Sequence, residues 1–349
     1  MKIAYIIPSK RKFGPIIVVY ELVSQLVKKG HDVTVFYFDD YHENVYEFPC
    51  KTQKIGFFEK INFKEYDIVH SNTLRPDLYV FIHKPYRTIS TRFITTIHNF
   101  VIEDLSSEYN RLIGFIFGHL WMFILRRHDY KVVLSEVAKK YYRRWFLEKE
   151  MVVIYNSRSI NFSQSLSKDE EDELIKFKGD SILLGANAML TPLKGFDMVL
   201  RAMTKNKKLK FFLVGDGKSK NDLYALAKEL GILDRVFWAG YRENAFRYIP
   251  FYDIYMMPSR SEGFGLALLE AVALKCNVVA SDIPIFRELF NDNEVNFFEI
   301  DNMKSLSEAI DKAMKVDKTE AAFKKYVQKY SLDIFVERYL DVYGLHELL

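Results

Sequence analysis

Short apolar runs of strand length alternate with longer amphipathic stretches along nearly the whole chain, and this alternation restricts the fold more than any other feature. Strands separated by helices cannot pair as tight hairpins. Each must cross over its helix and return parallel to an earlier strand, which is the α/β class. In the first half the buried strands are expected at Ile3–Ile7, Val33–Phe38, Ile68–Val69, Thr95–Ile97, Lys131–Leu134 and Val152–Tyr155. A helix, roughly Ile16 to Lys29, lies between the first two and is stopped by Gly30. Residues 99–127 read as mostly helical. In the second half the strands are Ile182–Leu184, Phe211–Val214, Val236–Ala239, Ile254–Met257, Val278–Ala280 and Asn296–Glu299. There, Phe196, Val199, Leu200 and Met203 recur at helical spacing.

A chain of 349 residues suits two domains. The composition turns polar over Ser157 to Asp180, which places the boundary there: residues 1–160, residues 161–325, and a helical tail over 326–349. The acidic run Asp169 to Glu173 reads as a solvated helix face rather than a metal site. Ligands of open parallel sheets bind beyond the carboxyl ends of the strands, so two such sheets facing each other are expected to form a binding cleft.

Composition narrows the classes. A net charge of +4 is too small to argue for nucleic acid, and no motif that reads RNA or DNA occurs. Cys50 and Cys276 give neither a disulfide framework nor zinc spacing, and a reduced, cytoplasmic setting is the simplest inference. The start, MKIAYIIPSKRK, reads as a strand rather than a signal peptide. The longest apolar stretch, Leu112 to Leu125, is broken by Gly114, Gly118 and His119, and is shorter than the roughly 18–20 residues of a spanning helix. Beside it in sequence, Lys139, Lys140, Arg143 and Arg144 are interleaved with Tyr141, Tyr142, Trp145 and Phe146.

The chemistry concentrates in Pro258 to Pro284, PSRSEGFGLALLEAVALKCNVVASDIP. A strand runs into a polar loop that carries Glu262 and Gly263-Phe264-Gly265, and then into a helix that carries Glu270. The first helical amides, of Leu266 and Ala267, are free donors at a positive dipole end, which suits a phosphate. Carboxylates eight positions apart would be separated by about 12 Å at helical rise, roughly a diphosphate with a sugar at each end. Lys194-Gly195, at a strand-to-helix turn, offers a point charge to the same phosphates. Gly215-Asp216-Gly217 follows a strand and is either an ordinary turn or close to the nucleotide. Tyr241, in Gly240-Tyr241-Arg242, either stacks on a base or simply packs. In the first half, Gly14 precedes a helix N-terminus and can approach a phosphate. His98 ends the strand TTIH, where sites form in parallel sheets. No GxGxxG follows the first strand, which argues against a dehydrogenase.

EGFGLALLE resembles the Glu-x7-Glu signature of retaining glycosyltransferases of the GT-B fold, family 4, and VVASDIPIFREL resembles the segment that ends the same unit. The resemblance implies a GT-B architecture, two facing Rossmann-like domains with parallel sheets and a cleft between them. It implies transfer of a sugar from a nucleotide diphosphate sugar, UDP by family frequency, to a hydroxyl of a glycan or lipid-linked acceptor in cell-surface polysaccharide or lipopolysaccharide synthesis. Glu262 and His98 would meet the donor sugar and the reaction centre, and Glu270 the ribose. Lys194 would meet the diphosphate, with Gly14, Gly215, Tyr241, Gly263, Phe264, Gly265 and Leu266 also at the donor. The family needs no metal, and the nucleotide sugar is a substrate rather than a cofactor. Two departures stand out. Met189 occupies a position where the family often has arginine, for which Arg260 or a cation of the other domain could substitute. Gly14-Pro15 replaces the usual Gly-Gly. Rival readings are a nucleotide-sugar 2-epimerase of the same fold and a non-catalytic nucleotide-sugar-binding subunit. Residues 100–127 and the cluster Lys139 to Phe146 suit the cytoplasmic face of a membrane that bears a lipid-linked glycan. The opposing reading is a buried helix beside a solvated face.

Overall fold

The computed structural model describes residues 1–86, 90–160 and 163–344. The chain divides into two compact units, Met1–Arg158 together with the segment from Leu332, and Ser159–Ser331.

The first unit is a seven-stranded parallel sheet. Its elements are β1 (Lys2–Ser9), α1 (Gly14–Lys28), β2 (Asp32–Asp39), β3 (Lys51–Lys54), β4 (Ile68–Asn72) and α2 (Leu74–His83). There follow β5 (Arg92–Ile97), α3 (Val101–Glu108), α4 (Arg111–Leu125), β6 (Tyr130–Val133), α5 (Glu136–Tyr142) and β7 (Met151–Val153). The strand order is β3-β2-β1-β4-β5-β6-β7. Ile3 to Ile7 are fully buried, because helices cover both faces of a parallel sheet and a central strand then has no polar side. The strand β3, with sequence KTQK, has no apolar residue that could have announced it. It is a polar edge strand, whose lysines keep the open edge from pairing with another chain.

The second unit holds α6 (Lys168–Lys178), β8 (Ile182–Asn187), α7 (Phe196–Met203), β9 (Leu209–Val214), α8 (Lys220–Glu229) and β10 (Val236–Gly240). It continues with β11 (Ile254–Met257), α9 (Leu266–Ala273), β12 (Val278–Ser281), α10 (Pro284–Leu289), β13 (Asn296–Phe298), α11 (Met303–Lys315) and α12 (Thr319–Lys329). The six parallel strands lie in the order β10-β9-β8-β11-β12-β13. The acidic run lies on α6, which opens with a capping box between Ser167 and Glu170.

The last helix, α13 (Leu332–Tyr343), belongs to the first unit. Phe335, Tyr339 and Tyr343 are all buried. A continuous chain of hydrogen bonds secures the helix to the strands beneath it. Tyr5 and Tyr343 share a bond of 2.5 Å, and Tyr343 Oη lies 2.7 Å from His70 Nδ1. His70 Nε2 lies 2.9 Å from Thr96 Oγ1, which in turn meets Tyr339 Oη at 3.0 Å. The sequence reading carries this helical tail to Leu349, and residues 345–349 lie outside the described residues.

A second buried network lies in the same unit. Ser71 Oγ and Thr95 Oγ1 both donate to Asp77 Oδ1, at 2.7 and 2.8 Å, and Trp121 Nε1 donates to Asp77 Oδ2 at 2.8 Å. His128 Nε2 meets Ser71 Oγ at 2.8 Å. Burial holds His70 down to about 3, His98 down to about 4, and His128 well below the usual imidazole range. Burial also pushes the Asp77 carboxyl up to about 6.

These shifts have a sign. Depressed histidines favour the native state above the unfolded value near 6.5 and lose that contribution as pH falls. The raised carboxyl works the other way. Below about pH 6 the unfolded chain binds protons at these histidines that the native unit does not, while the native unit binds one at Asp77 that the unfolded chain does not. The histidines outnumber the carboxyl, so stability of the first unit is expected to fall as pH drops from about 6 to about 4. The second unit contains no histidine and has no such term. Calorimetric or chemical unfolding at pH 7.5 and pH 5 checks this; a first unit equally stable at both would show that the buried histidines do not act this way.

Candidate active site

In the second sheet the strand order reverses direction between β8 and β11, which pair directly through Ile254 with Leu184 and Tyr255 with Gly185. Loops that leave such a switch point diverge and open a crevice at the strands' carboxyl ends. Lys194 and Glu262 sit on those two loops. Lys194 closes a short 3-10 turn, Pro192–Lys194, and Gly195 follows with φ 68°. A Cβ on Gly195 would stand 2.1 Å from the carbonyl oxygen of Pro258, so only glycine lets the two loops come this close. The Arg260 amide donates to Leu193 O at 2.7 Å and joins them further.

Contact between the loops brings the two charged side chains together. Glu262 Oε1 accepts from Lys194 Nζ at 2.5 Å and from Ser259 Oγ at 2.7 Å. Ser259 is itself fixed, since its carbonyl accepts from Ser281 Oγ at 2.5 Å. The pair is only partly screened, with the lysine side chain 25% exposed and the glutamate 11%. Lys194 and Glu262 are therefore one unit, not two independent groups at opposite ends of a ligand. An arriving anion must compete with Glu262 for the ammonium, and a captured ammonium releases the carboxylate oxygen to accept from something else.

The geometry between the two glutamates differs from the sequence expectation. Helix α9 begins only at Leu266, and Gly265 before it has φ 95°. Only the second half of the Glu262–Glu270 interval is helical, so the 12 Å estimate from continuous helical rise does not apply. Phe286 explains the glycine, because its Cε1 would lie 2.7 Å from a Cβ on Gly265. The Leu266 and Ala267 amides stand in the first turn of α9, next to the Glu262 loop. Phe264 is buried and anchors the loop, while Gly263 is half-buried. Glu270 is 6% exposed on the core side of α9. Burial first, and then the charge of Glu270, push the Tyr255 phenol well above the usual range. Tyr255 Oη, within 3.2 Å of the Asn187 amide, lies at the floor of the switch point. Motif reading offers no signal for it.

Other residues of the second unit receive plainer roles. Arg260 does not stand in for the missing arginine at Met189. Its guanidinium makes a two-pronged bridge to Asp197, 2.8 Å on each arm, and reaches Asp301 at 2.9 Å. That charge is committed to bracing α7. Met189 is 66% exposed. Gly215 has φ 143°, and a Cβ there would lie 1.8 Å from the carbonyl oxygen of Ala188. Close packing against the loop after β8 is thus sufficient reason for that glycine. Tyr241 is exposed at the end of β10.

The first sheet has its own reversal, between β1 and β4. Gly14 is the first residue of α1, beyond β1, and a Cβ there would meet nothing within 4 Å. Its backbone does not require glycine, so space is kept open above it. His98 follows β5 and is half-buried. Its Nε2 donates to Asn72 Oδ1 at 3.0 Å, which leaves Nδ1 of the neutral ring as an acceptor. Asn72 ends β4 and is buried, and its Nδ2 has no partner among the described residues. The next residue, Thr73, holds φ 76°, an unfavourable conformation for a β-branched side chain. Neither Asn72 nor Thr73 belongs to a motif in the sequence, and only the pairing of β4 with β5 brings Asn72 beside His98.

Comparison with known proteins agrees with this architecture. Residues 167–330 match the family model for glycosyl transferases group 1, and residues 14–161 match that for glycosyltransferase family 4. The chain is 36% identical over 321 residues to the Escherichia coli O-antigen biosynthesis glycosyltransferase WclY, covering 90% of this chain and 89% of the relative. It is 31% identical over 179 residues, 50% of this chain and 47% of the relative, to a Campylobacter jejuni N-acetylgalactosaminyltransferase acting on a diphospho-undecaprenol-linked sugar. Among solved structures, Anabaena HepE in complex with UDP-glucose superposes with a TM-score of 0.80 at 17% identity, over 99% of both chains. The sucrose-phosphate synthase of Thermosynechococcus elongatus gives 0.81 at 16% identity, also over 99% of both. The chain belongs to glycosyltransferase family 4, with the GT-B fold, and is a glycosyltransferase.

Two glycines separate structural from ligand-directed roles. Gly195→Ala is expected to cost about 2–4 kcal/mol, from the positive φ and the contact with Pro258 O. Gly14→Ala is expected to change stability by less than about 1 kcal/mol. Thermal unfolding of both variants checks this; equal melting of Gly195→Ala and the unsubstituted protein would show that the two loops are not held together as described.

Proposed function

We propose that this glycosyltransferase moves a sugar, with retention of anomeric configuration, from a nucleoside diphosphate sugar to a hydroxyl of a glycan or lipid-linked acceptor. The observation that carries this reading is the Lys194–Glu262–Ser259 cluster at the β8/β11 switch point, beside the free amides of α9. A cation and a row of backbone donors suit a diphosphate, and a half-buried carboxylate suits sugar hydroxyls. UDP as the nucleotide is supported by the fold likeness to HepE, solved with UDP and with UDP-glucose. O-antigen or lipopolysaccharide-type synthesis is supported by WclY and by the Rhizobium meliloti lipopolysaccharide core glycosyltransferase LpsE. A lipid-linked acceptor is supported by the Campylobacter relative, whose acceptor is carried on a diphospho-undecaprenol.

In this reading the bond from the anomeric carbon to the leaving phosphate oxygen breaks, and its electron pair goes to the nucleoside diphosphate. The acceptor oxygen bonds to the anomeric carbon on the same face, and its proton passes to the leaving phosphate oxygen. Lys194 transfers its hydrogen bond from Glu262 to the diphosphate, and the Leu266 and Ala267 amides share the developing charge. Glu262, released, accepts from sugar hydroxyls. Glu270 takes the ribose hydroxyls, Gly263, Phe264 and Gly265 shape the loop around the sugar, and Gly215 and Tyr241 lie toward the nucleotide. Gly14 gives a phosphate close approach, and His98 accepts a sugar hydroxyl through Nδ1. Asn72 fixes the tautomer that makes His98 an acceptor. The relatives named above are transferases, and no residue of the site favours an epimerase or a non-catalytic subunit.

Glu262→Ala and Lys194→Ala are each expected to lower transfer by at least about a thousandfold with folding intact. The check is release of nucleoside diphosphate from a panel of UDP-, GDP- and ADP-sugars with acceptor present; unchanged turnover in both variants would falsify the assignment. The charge on the leaving group is proposed to be met without a metal. Transfer should therefore persist in excess EDTA, and recovery that depends on added Mg2+ or Mn2+ would refute that part alone.

A further inference from the structure

Helix α4 buries Met122, Ile124 and Leu125 but turns most of its large apolar residues outward. Leu112, Phe115, Ile116, Phe117, Leu120 and Phe123 are each between 48% and 68% exposed. They form an outward ridge, since 112, 116, 120 and 123 follow helical spacing. The helix is not loosely placed. Its opposite face carries Gly114 and Gly118, where a Cβ would come within 2.0 Å of Ser106 Oγ and 2.5 Å of Ile102 Cγ1 on α3. Trp121, on the same helix, is fixed to buried Asp77 by a hydrogen bond of 2.8 Å. A face held outward this firmly, with six large apolar side chains in water, is costly unless something covers it.

The surroundings identify the cover. Exposed Arg111 and Arg126 bracket the helix at its two ends. The ridge also runs into the basic-aromatic cluster on and after α5. The Phe115 ring lies tilted 4.4 Å from that of His119, His119 meets Trp145 at 5.8 Å, and the Arg144 guanidinium lies 5.1 Å from the Trp145 ring centre. Lys140 and Arg144 are exposed there, whereas Arg143 is paired with Glu148 at 2.8 Å, and Tyr141 bonds Glu103. An apolar ridge rimmed by arginines, with a tryptophan at its border, matches the headgroup–acyl boundary of a bilayer. At 15 residues, roughly 22 Å long, α4 is too short to span a core of about 30 Å.

We propose that α4 lies in the plane of an anionic lipid surface. The ridge Leu112 to Phe123 sits among the acyl chains, and Arg111, Arg126, Lys140 and Arg144 meet lipid phosphates. This deepens the reading of a lipid-linked acceptor, by naming the surface on which the enzyme would meet it.

The test is co-sedimentation of the full chain with phosphatidylethanolamine vesicles containing phosphatidylglycerol, against phosphatidylcholine vesicles. The protein is expected to pellet with the anionic vesicles and to be released as salt rises. The double variant Leu112→Glu/Ile116→Glu should reduce partitioning at least about tenfold, and Lys140→Glu/Arg144→Glu by about tenfold or more. Because all four side chains face solvent, circular dichroism and melting should be unchanged. No binding by the unsubstituted protein, equal binding to phosphatidylcholine, or binding that neither variant alters would overturn the proposal. So would a concentration-dependent dimer in size exclusion that Leu112→Glu/Ile116→Glu dissolves without any vesicle binding, since a second copy would then cover the ridge. Two controls keep the readings apart. Glu262→Ala should still bind vesicles, and Leu112→Glu/Ile116→Glu should still transfer sugar to a water-soluble acceptor.

Discussion

The parallel arrangement of both sheets is the constraint on which the rest of this structure depends. Each strand must be followed by a crossover, so every functional loop leaves from the same edge of its sheet. At the point where the order reverses, neighbouring strands send their loops apart. In the second unit that point is β8/β11, and the loops after these strands carry Lys194 and Glu262, which are 68 positions apart in sequence. Glycine at 195 lets the loops meet again, and the meeting produces an ion pair inside a crevice. The Lys194–Glu262 pairing is thus a consequence of topology plus one backbone requirement. A cation and a carboxylate that satisfy each other at rest are kept in place with little cost.

The first unit solves a different problem. It buries polar residues in its core: His70, Ser71 and Thr96 on the strands, Asp77 on α2 and His128 just before β6. Such groups are tolerated only when their hydrogen bonds are made. The tyrosines of α13 make several of them, and the last helix of the chain is therefore integral to the first unit. His98 and Asn72 lie at the edge of this polar core, where burial keeps the imidazole neutral and the asparagine fixes its tautomer.

Much of this was legible in the sequence because its signals are local. Strand-length apolar runs announced twelve of the thirteen strands among the described residues, and the exception, β3, is polar since it lies at an edge. The Glu262–Glu270 segment was legible because loop glycines, a free helix start and acids at fixed spacing are all encoded within a few positions. What failed was a distance. Helical rise cannot be applied across Gly265, whose left-handed backbone reflects contact with Phe286, and no local rule signals that contact. The ion pairs of Arg260 were not legible either, because Asp197 and Asp301 reach it only through the tertiary fold. Periodicity could not decide whether Leu112 to Leu125 was core or surface. The packing of Gly114 and Gly118 against α3 decided it, by turning the apolar side outward.

The sequence by itself determined the α/β class and the glycosyltransferase family, since these rest on patterns read over a few turns of chain. The tertiary structure alone decided that Lys194 and Glu262 are bonded, that Asn72 orients His98, and that α4 shows its apolar face to solvent. The physical reason is the same in each case. Hydrogen bonds and burial depend on what lies across a strand or a helix, and sequence spacing carries no information about a neighbour brought from many residues away.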